Sequence, residues 1–315
     1  MTDFMTALSR IRISPARPFL KWAGGKSQLL AEFECRLPAR GSNSRTIARF
    51  VEPFVGGGAM FFYFRHRFPS VESTICDINP ELILAYRVIR QSAEDLIAEL
   101  ETLDVAFRKR NEQKREAFYY RVRGEFNETE RAAGSGTPGP GEITHVAQLI
   151  FLNHTCFNGL FRVNKKGRFN VPFGRYKNPD ILNRDNILAV SDLLKNTRIL
   201  RGDFTACRRY VNDETFVYLD PPYRPLTATA SFTSYSRAGF TDRDQKRLAR
   251  FYKALDRKGA MVMLSNSDPK TENNGDSFLE DLYAGFRIER VPARRMINCN
   301  GSRRGAVSEL IVTNY

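Results

Sequence analysis

Two consecutive prolines follow directly on an apolar run, and that junction constrains the fold more than any other part of the chain. The run Thr215-Phe216-Val217-Tyr218-Leu219 leads straight into Asp220-Pro221-Pro222-Tyr223. An apolar stretch of this length bounded by turn residues reads as a buried strand. Two prolines end it and remove two backbone N–H donors, so carbonyls near them are left to act as acceptors in a pocket. In open α/β sheets ligands bind at the C-terminal edge of the strands. An aspartate beside such a carbonyl makes a site for an –NH2 group, with Tyr223 available to stack on the planar ring that carries it. The plainer alternative is a loop with a capping Asp and a packed Tyr.

The rest of the chain supplies a sheet for that junction. Strands are predicted over 50–51, 73–76, 197–200, 216–219, 260–264, 287–292 and 309–315. Helices are predicted over 59–68, 81–100, 112–130, 143–153, 181–194 and 241–255, with one more following a Gly-rich turn within 19–37. Strands alternating with helices at both ends imply a mostly parallel, doubly wound α/β sheet. The middle, about 85–195, is helical apart from one basic hairpin over 159–174 and reads as an inserted second domain; Gly167 supplies the positive φ of its turn. Residues 1–17 read as a flexible basic arm, and the Gly/Pro/Ser stretch 133–141 as a flexible surface loop.

Charge points to the partner. There are 49 Lys+Arg against 35 Asp+Glu among 315 residues, a net charge of +14. Cations at Arg10–Arg17, Lys165–Lys177 and Arg294–Arg304 are clustered, which favours a polyanion whose counterions are released on binding. Five cysteines without a CxxC pair exclude a zinc framework and a disulfide scaffold, and three histidines make a His-based metal site unlooked for. Residues 1–18 lack an apolar signal core and no apolar run reaches membrane-spanning length. A cytosolic protein without membrane contact or metal is expected.

Four further segments carry chemistry. Glu52-Pro53-Phe54-Val55-Gly56-Gly57-Gly58 joins a strand to a helix, and glycines there let a ligand approach the backbone. Asp77, about twenty residues on, ends the next strand, where an acid can bond ribose hydroxyls. With no GxGxxG and no phosphate loop, the pair suggests an adenosine-containing ligand lacking a phosphate chain. Asp203-Phe204 follows another strand and offers an acceptor and a ring for adenine. Trp22, the one tryptophan, lies between Lys21 and Lys26, and a lone Trp so placed is more often a core anchor than a ligand contact. In the hairpin, aromatics interleave with cations from Phe157 to Tyr176. A two-stranded ribbon of that kind can enter the major groove, where Arg grips guanine and apolar groups meet thymine methyls, and Phe157 can wedge into a base stack.

These residues resemble a known family. Phe19-Leu20-Lys21-Trp22-Ala23-Gly24-Gly25-Lys26, then Glu52–Gly58, then Asp220-Pro221-Pro222-Tyr223 are similar to segments of the Dam family of DNA adenine-N6 methyltransferases (alpha-type, D12 class). The stretch 225–235 and Asn300-Gly301-Ser302-Arg303-Arg304 extend the resemblance from about Phe19 to Tyr315. It implies a Rossmann-like class I S-adenosylmethionine-dependent methyltransferase sheet (18–84 and 196–315) with an inserted, mostly helical DNA-recognition domain (85–195) carrying the hairpin. S-adenosylmethionine is the implied methyl donor, held by Trp22, Lys26, Asp77 and Asp220, with Phe54, Gly56, Ile78, Asp203 and Phe204 walling its pocket. The implied partner is double-stranded DNA read at GATC. Arg162 would hold guanine with help from Lys21, Leu160 and Pro172 would meet thymine, and Phe157 would intercalate. Asn158 would face the space left by the target adenine, and Asn164, Arg175 and Tyr176 would lie near the backbone. A monomer without an obligatory protein partner, in the cytoplasm on the nucleoid, is expected.

The chain departs from the family in places. His154 stands where the prototype enterobacterial member has an arginine on a phosphate, Phe157 and Val163 replace tyrosines, 134–141 resembles an insertion, and 1–17 extends the usual start. The expected chemistry has Asp220 and the Pro221 carbonyl accepting the two N6 hydrogens of a flipped adenine, Tyr223 stacking on it, and Phe232 or Tyr235 closing over it. Rival readings are a catalytically dead DNA-binding relative, or methylation of cytosine N4, an RNA base or a glutamine amide. Asp220 as the first residue of the tetrapeptide, together with the hairpin, argues against cytosine N4 and a glutamine amide.

Overall fold

The computed structural model describes residues 15–22, 24–26, 28–38, 46–128, 137–223, 240–271, 275–294 and 306–315. The expected arm up to 14, the segment 225–235 with Phe232 and Tyr235, and Asn300–Arg304 lie outside the described residues.

Strands β1 (Arg49–Glu52), β2 (Glu72–Asp77), β3 (Thr197–Arg201), β4 (Thr215–Leu219), β5 (Met261–Ser267), β6 (Arg287–Arg294) and β7 (Ala306–Thr313) form one sheet. Their order is β3-β2-β1-β4-β5-β7-β6. The first five run parallel, and β7 lies antiparallel between β5 and β6. Every residue of β4 and β5 is buried, as befits strands covered on both faces. The mostly parallel α/β sheet is therefore as expected.

Side chains alternate across this sheet with the period of two that a pleat imposes. Phe50, Ile75, Phe216, Tyr218, Met261 and Met263 enter one apolar cluster, together with residues of α2 (Ala59–Arg67) and α3 (Pro80–Gln91). Val51, Cys76, Val217, Leu219, Val262 and Leu264 enter the other, against α8 (Asp242–Asp256). The first cluster continues through α4 (Ala93–Arg108), α5 (Glu112–Glu128) and α6 (Pro140–Thr155) to Phe161 and Phe173 in the basic ribbon. The helical middle of the chain thus shares its core with the sheet, and the expected boundary at 84/85 falls inside α3.

Several elements differ from the sequence expectation. The helix sought within 19–37 shrinks to α1 (Leu30–Glu34), because the residues before it are drawn out into contacts with α6 and with the end of β4. The continuous helix over 81–100 breaks at Ser92, which has an extended φ of −141°. Glu94 and Asp95 then sit in the first turn of α4, where acids favour the positive end of the helix dipole. The helix foreseen from 181 begins later, as α7 (Arg184–Leu194), capped by Asn183. A 3-10 helix, Phe204–Tyr210, and the short α9 (Phe278–Leu282) were not foreseen. β5 runs on to Ser267 rather than stopping at 264.

The hairpin is the largest difference. Its chain does turn at Asn164–Gly167, and Gly167 has φ +77°. Isolated bridges, Val163↔Phe169 and Cys156↔Phe173, and a few backbone hydrogen bonds join its two sides in place of a continuous ladder. Helix α5 supplies the missing partners: Asn127 takes both backbone groups of Phe169, and Tyr119 and Arg123 donate to the Val171 carbonyl. Backbone groups satisfied by side chains need no ladder, and Pro172 has no N–H to offer one.

Candidate active site

Strand order reverses between β1 and β4, and the crevice of an open α/β sheet lies at the C-terminal ends of the strands there. Glu52 ends β1, Asp77 ends β2 and Asp220 follows β4. Three acids therefore line one edge. The ammonium of Lys26 reaches across, 2.8 Å from Asp220 Oδ1, while also donating to the Gly24 carbonyl at 2.8 Å. It lies 4.5 Å from the centre of the Tyr223 ring, a cation–π distance. Lys26, from one motif, and Asp220 and Tyr223, from another, thus form one cluster.

Two strand residues brace Asp220. Ser265 of β5 donates its hydroxyl to Oδ1 at 3.3 Å and shares a hydrogen bond with the Tyr218 hydroxyl at 2.8 Å. Both partners fall on Oδ1, so Oδ2 is left without a partner among the described residues. Pro221 is buried and Pro222 exposed. The Pro222 carbonyl accepts from Gln245 Nε2 at 3.5 Å.

Electrostatics set this edge apart from the rest of a chain of net charge +14. Burial pushes the Asp220 carboxyl up, outweighing the opposing pull of Lys26. Burial, then Asp220 and Asp77, push Glu52 well above the usual carboxylate range. Burial raises Asp77 and Glu309 of β7 in the same way. Among the described residues, Glu52 Oε2 and Glu309 Oε2 are buried without a hydrogen-bond partner. Burial, with Asp220 and Glu309 adding to it, likewise raises the Tyr223 hydroxyl. A strand edge whose carboxyls are held up by burial and by one another fits a ligand whose positive charge would favour their ionised form.

The glycine turn is anchored from both sides. Gly56 N–H donates to Asp77 Oδ2 at 3.0 Å, and the Asn79 N–H to Oδ1 at 2.8 Å. The Gly56 carbonyl accepts from the Tyr86 hydroxyl at 3.1 Å. Trp22 packs on the turn so closely that a Cβ on Gly57 would meet its Cβ at 2.9 Å. On this side the glycines admit the tryptophan. Its other face stacks on Phe161, with ring centroids 5.3 Å apart and planes at 24°. Trp22 therefore ties the turn to the ribbon, as the anchor reading expects.

The remaining expected walls divide into two groups. Phe54 lies 5.3 Å from Phe204, and both meet Phe240. Asp203 is already engaged: its carboxylate caps Thr205 and takes both Arg247 contacts at 3.1 and 3.2 Å. Burial pulls it up, but Thr205 and Arg247 together hold it below its usual range. Ile78 is 65 % exposed, apart from the packed rings.

The ribbon presents its expected readers outward. Phe161, Phe169, Val171 and Phe173 are buried beneath it, whereas Arg162 and Pro172 are exposed and Leu160 is half-buried. Arg162 is steadied by Asn170 Oδ1 at 2.9 Å. Phe157 is 52 % exposed, and its neighbour Asn158 holds φ +56°. Asn164 differs from the others, since its Oδ1 accepts from the Lys166 and Arg168 N–H groups and so builds the turn. Arg175 is exposed and pairs with Glu116 at 3.4 Å. Lys21 Nζ lies 4.8 Å from the Tyr176 ring centre. His154, the departure noted above, holds the Phe19 carbonyl at 3.1 Å.

One residue joins ribbon, N-terminal segment and α6. Asn153, 1 % exposed, accepts from Lys21 N–H at 2.7 Å and donates to the Lys21 and Gly159 carbonyls at 2.9 and 3.0 Å. Sequence reasoning missed Asn153, Ser265, Gln245, Asn266 and Glu309. Four polar residues following the apolar part of β5, Ser265-Asn266-Ser267-Asp268, were the available signal for two of them.

A family model of the D12 class of N6 adenine-specific DNA methyltransferases matches residues 22–297. The chain is 49 % identical over 300 residues to the Type II methyltransferase M.MjaIII of Methanocaldococcus jannaschii, covering 95 % of this chain and 99 % of that protein. It is 39 % identical over 313 residues to the Type II methyltransferase M1.LlaDCHI of Lactococcus lactis subsp. cremoris, covering 99 % of each. It is 32 % identical over 301 residues to the DNA adenine methylase of Escherichia coli K12, covering 94 % of each.

Proposed function

The chain belongs to the D12 class of N6 adenine-specific DNA methyltransferases, and on that premise we propose that it methylates N6 of an adenine flipped out of duplex DNA, at GATC, with S-adenosylmethionine as donor. The observation that carries this reading is the Asp220 carboxylate, braced on Oδ1 by Lys26 and Ser265 and followed by the buried Pro221. When bound, S-adenosylmethionine supplies an electrophilic methyl group on a cationic sulfur. The carboxyls at Glu52, Asp77, Asp220 and Glu309 suit that charge, and the Lys26 ammonium suits a carboxylate of such a ligand.

The protein's work is positioning. The N6 lone pair is delocalised into the ring, so the amine is a poor nucleophile. Asp220 Oδ2 and the Pro221 carbonyl accept its two hydrogens, favouring a pyramidal nitrogen whose lone pair is aimed at the methyl group. Tyr223 stacks on the base. Holding reactants in line contributes up to ~7–11 kcal/mol, and acceptors fixed where positive charge grows on nitrogen add electrostatic stabilisation. A strong general base is not required, because the proton leaves after methylation, when the nitrogen is acidic. Extruding the base costs a few kcal/mol, which Phe157 offsets by filling the stack.

In this reading 18–84 and 196–315 carry the chemistry and 85–195 reads the target. Arg162 contacts guanine and Leu160 and Pro172 meet thymine, all from the outer face of the ribbon. Mass spectrometry of nucleosides after incubation of duplex DNA with the protein and S-adenosylmethionine tests the proposal. N6-methyladenine supports it; N4-methylcytosine, or neither product, overturns it.

A further inference from the structure

Gln245 lies in the first turn of α8 and is 0 % exposed. A buried amide is costly unless its polar atoms are paired, and here the pairing has a direction. The Ser267 backbone N–H donates to Asn266 Oδ1 at 2.9 Å. That donor is fixed by the main chain, so Asn266 must present its Nδ2 the other way, and it donates to Gln245 Oε1 at 3.1 Å. Gln245 is thereby oriented with Nε2 toward the Pro222 carbonyl, 3.5 Å away. Asn266 is itself 0 % exposed.

Ser265 and Asn266 are neighbours on β5, so their side chains leave opposite faces of the sheet. Ser265 grips Asp220 on the face of Tyr218, and Asn266 acts through Gln245 on the face of α8. The end of β5 thus acts on the tetrapeptide at Asp220 directly and at Pro222 through Gln245. Proline rings fix φ at Pro221 and Pro222, which leaves ψ as the soft torsion at each. Anchoring the Asp220 carboxylate and the Pro222 carbonyl removes most of what freedom remains between them.

We infer that Gln245 is a positioning residue, which with Asn266 engages the Pro222 carbonyl and so keeps the Pro221 carbonyl free and aimed at the substrate amine. This rests on the adenine-N6 reading above and adds to it a device that touches neither substrate nor donor.

The test compares Gln245→Leu, Gln245→Glu and Asn266→Asp with the wild type, using single-turnover methyl transfer to duplex DNA, donor affinity and thermal unfolding. Gln245→Leu should lose on the order of 10²-fold in the transfer rate, as a displacement of about 1 Å does, with donor affinity and KM for DNA unchanged. Gln245→Glu can still donate when protonated. Its rate should approach the wild type at low pH and fall as the carboxyl ionises, a limb absent from the wild-type profile. Should Gln245→Leu fail to fold, Asn266→Asp carries the same test: it keeps the volume, removes the Nδ2 donor, and should slow transfer while leaving donor affinity intact. A wild-type transfer rate in folded Gln245→Leu or in Asn266→Asp overturns the inference, as does a Gln245→Glu profile that matches the wild type. A wild type that forms no N6-methyladenine instead overturns the functional reading itself.

Discussion

The Lys26 ammonium sits 2.8 Å from Asp220 Oδ1 and 4.5 Å from the centre of the Tyr223 ring, so one cation serves the acid and the aromatic of the same tetrapeptide. The two charged side chains are 6 % and 18 % exposed. Breaking a buried pair by removing one partner costs about 3–5 kcal/mol. Because burial already raises the Asp220 carboxyl, it can take up a proton when the cation is lost, and the cost falls toward the lower figure. Lys26→Met should therefore lower Tm, and adding Asp220→Asn should restore much of that loss without restoring methyl transfer. A double-mutant cycle in thermal unfolding checks this. Additive losses would contradict the coupling.

Glu52 makes stability depend on pH. Burial, Asp220 and Asp77 hold its folded-state carboxyl well above the ordinary value of 4.5. Above that value the unfolded chain has released a proton that the folded protein still binds. This contribution is fully present below 4.5 and is lost as pH rises toward the folded value. Glu52→Gln should remove it, flattening the fall in urea-unfolding free energy as pH rises above 4.5. A slope steeper than wild type would count against the assignment.

Asn153→Ala strands the Lys21 N–H and the Lys21 and Gly159 carbonyls, all held by one side chain. Each buried group left unsatisfied costs about 1–3 kcal/mol. The same segment carries Trp22, so donor affinity and target discrimination should weaken together. Chemical denaturation paired with binding titrations reads both; loss of one without the other would separate the ribbon from the glycine turn.

Arg162→Ala should relax the choice of base at the guanine and cost ~1–3 kcal/mol there. A phosphate-facing cation removed from the same surface should instead weaken binding to all sequences and shallow the salt dependence. Methylation rates on a panel of single-base variants of the site separate the two outcomes.

The acids at the strand ends were legible because each follows an apolar run and precedes a turn, as Asp77 and Asp220 do. What lies behind them was not. Ser265 and Asn266 read as the end of β5, since polar residues normally mark a strand's exit. Here they remain paired with β7 and buried, satisfied by Asp220, Tyr218 and Gln245. Gln245 is separated from them by most of α8 and has no local signature at all. Asp203 has a partner that its position after a strand does not announce: Arg247, far along the chain, pairs with its carboxylate. The ribbon over 159–174 read as a two-stranded hairpin because period and turn were right. Its backbone partners come from α5, which local patterning does not reveal.

A crystal structure of the protein with duplex DNA and an unreactive analogue of the donor tests the central claim most directly. The account predicts the target adenine outside the stack, with N6 about 2.7–3.2 Å from Asp220 Oδ2 and from the Pro221 carbonyl oxygen. An adenine seated elsewhere, with Asp220 still bound only to Lys26 and Ser265, would contradict it.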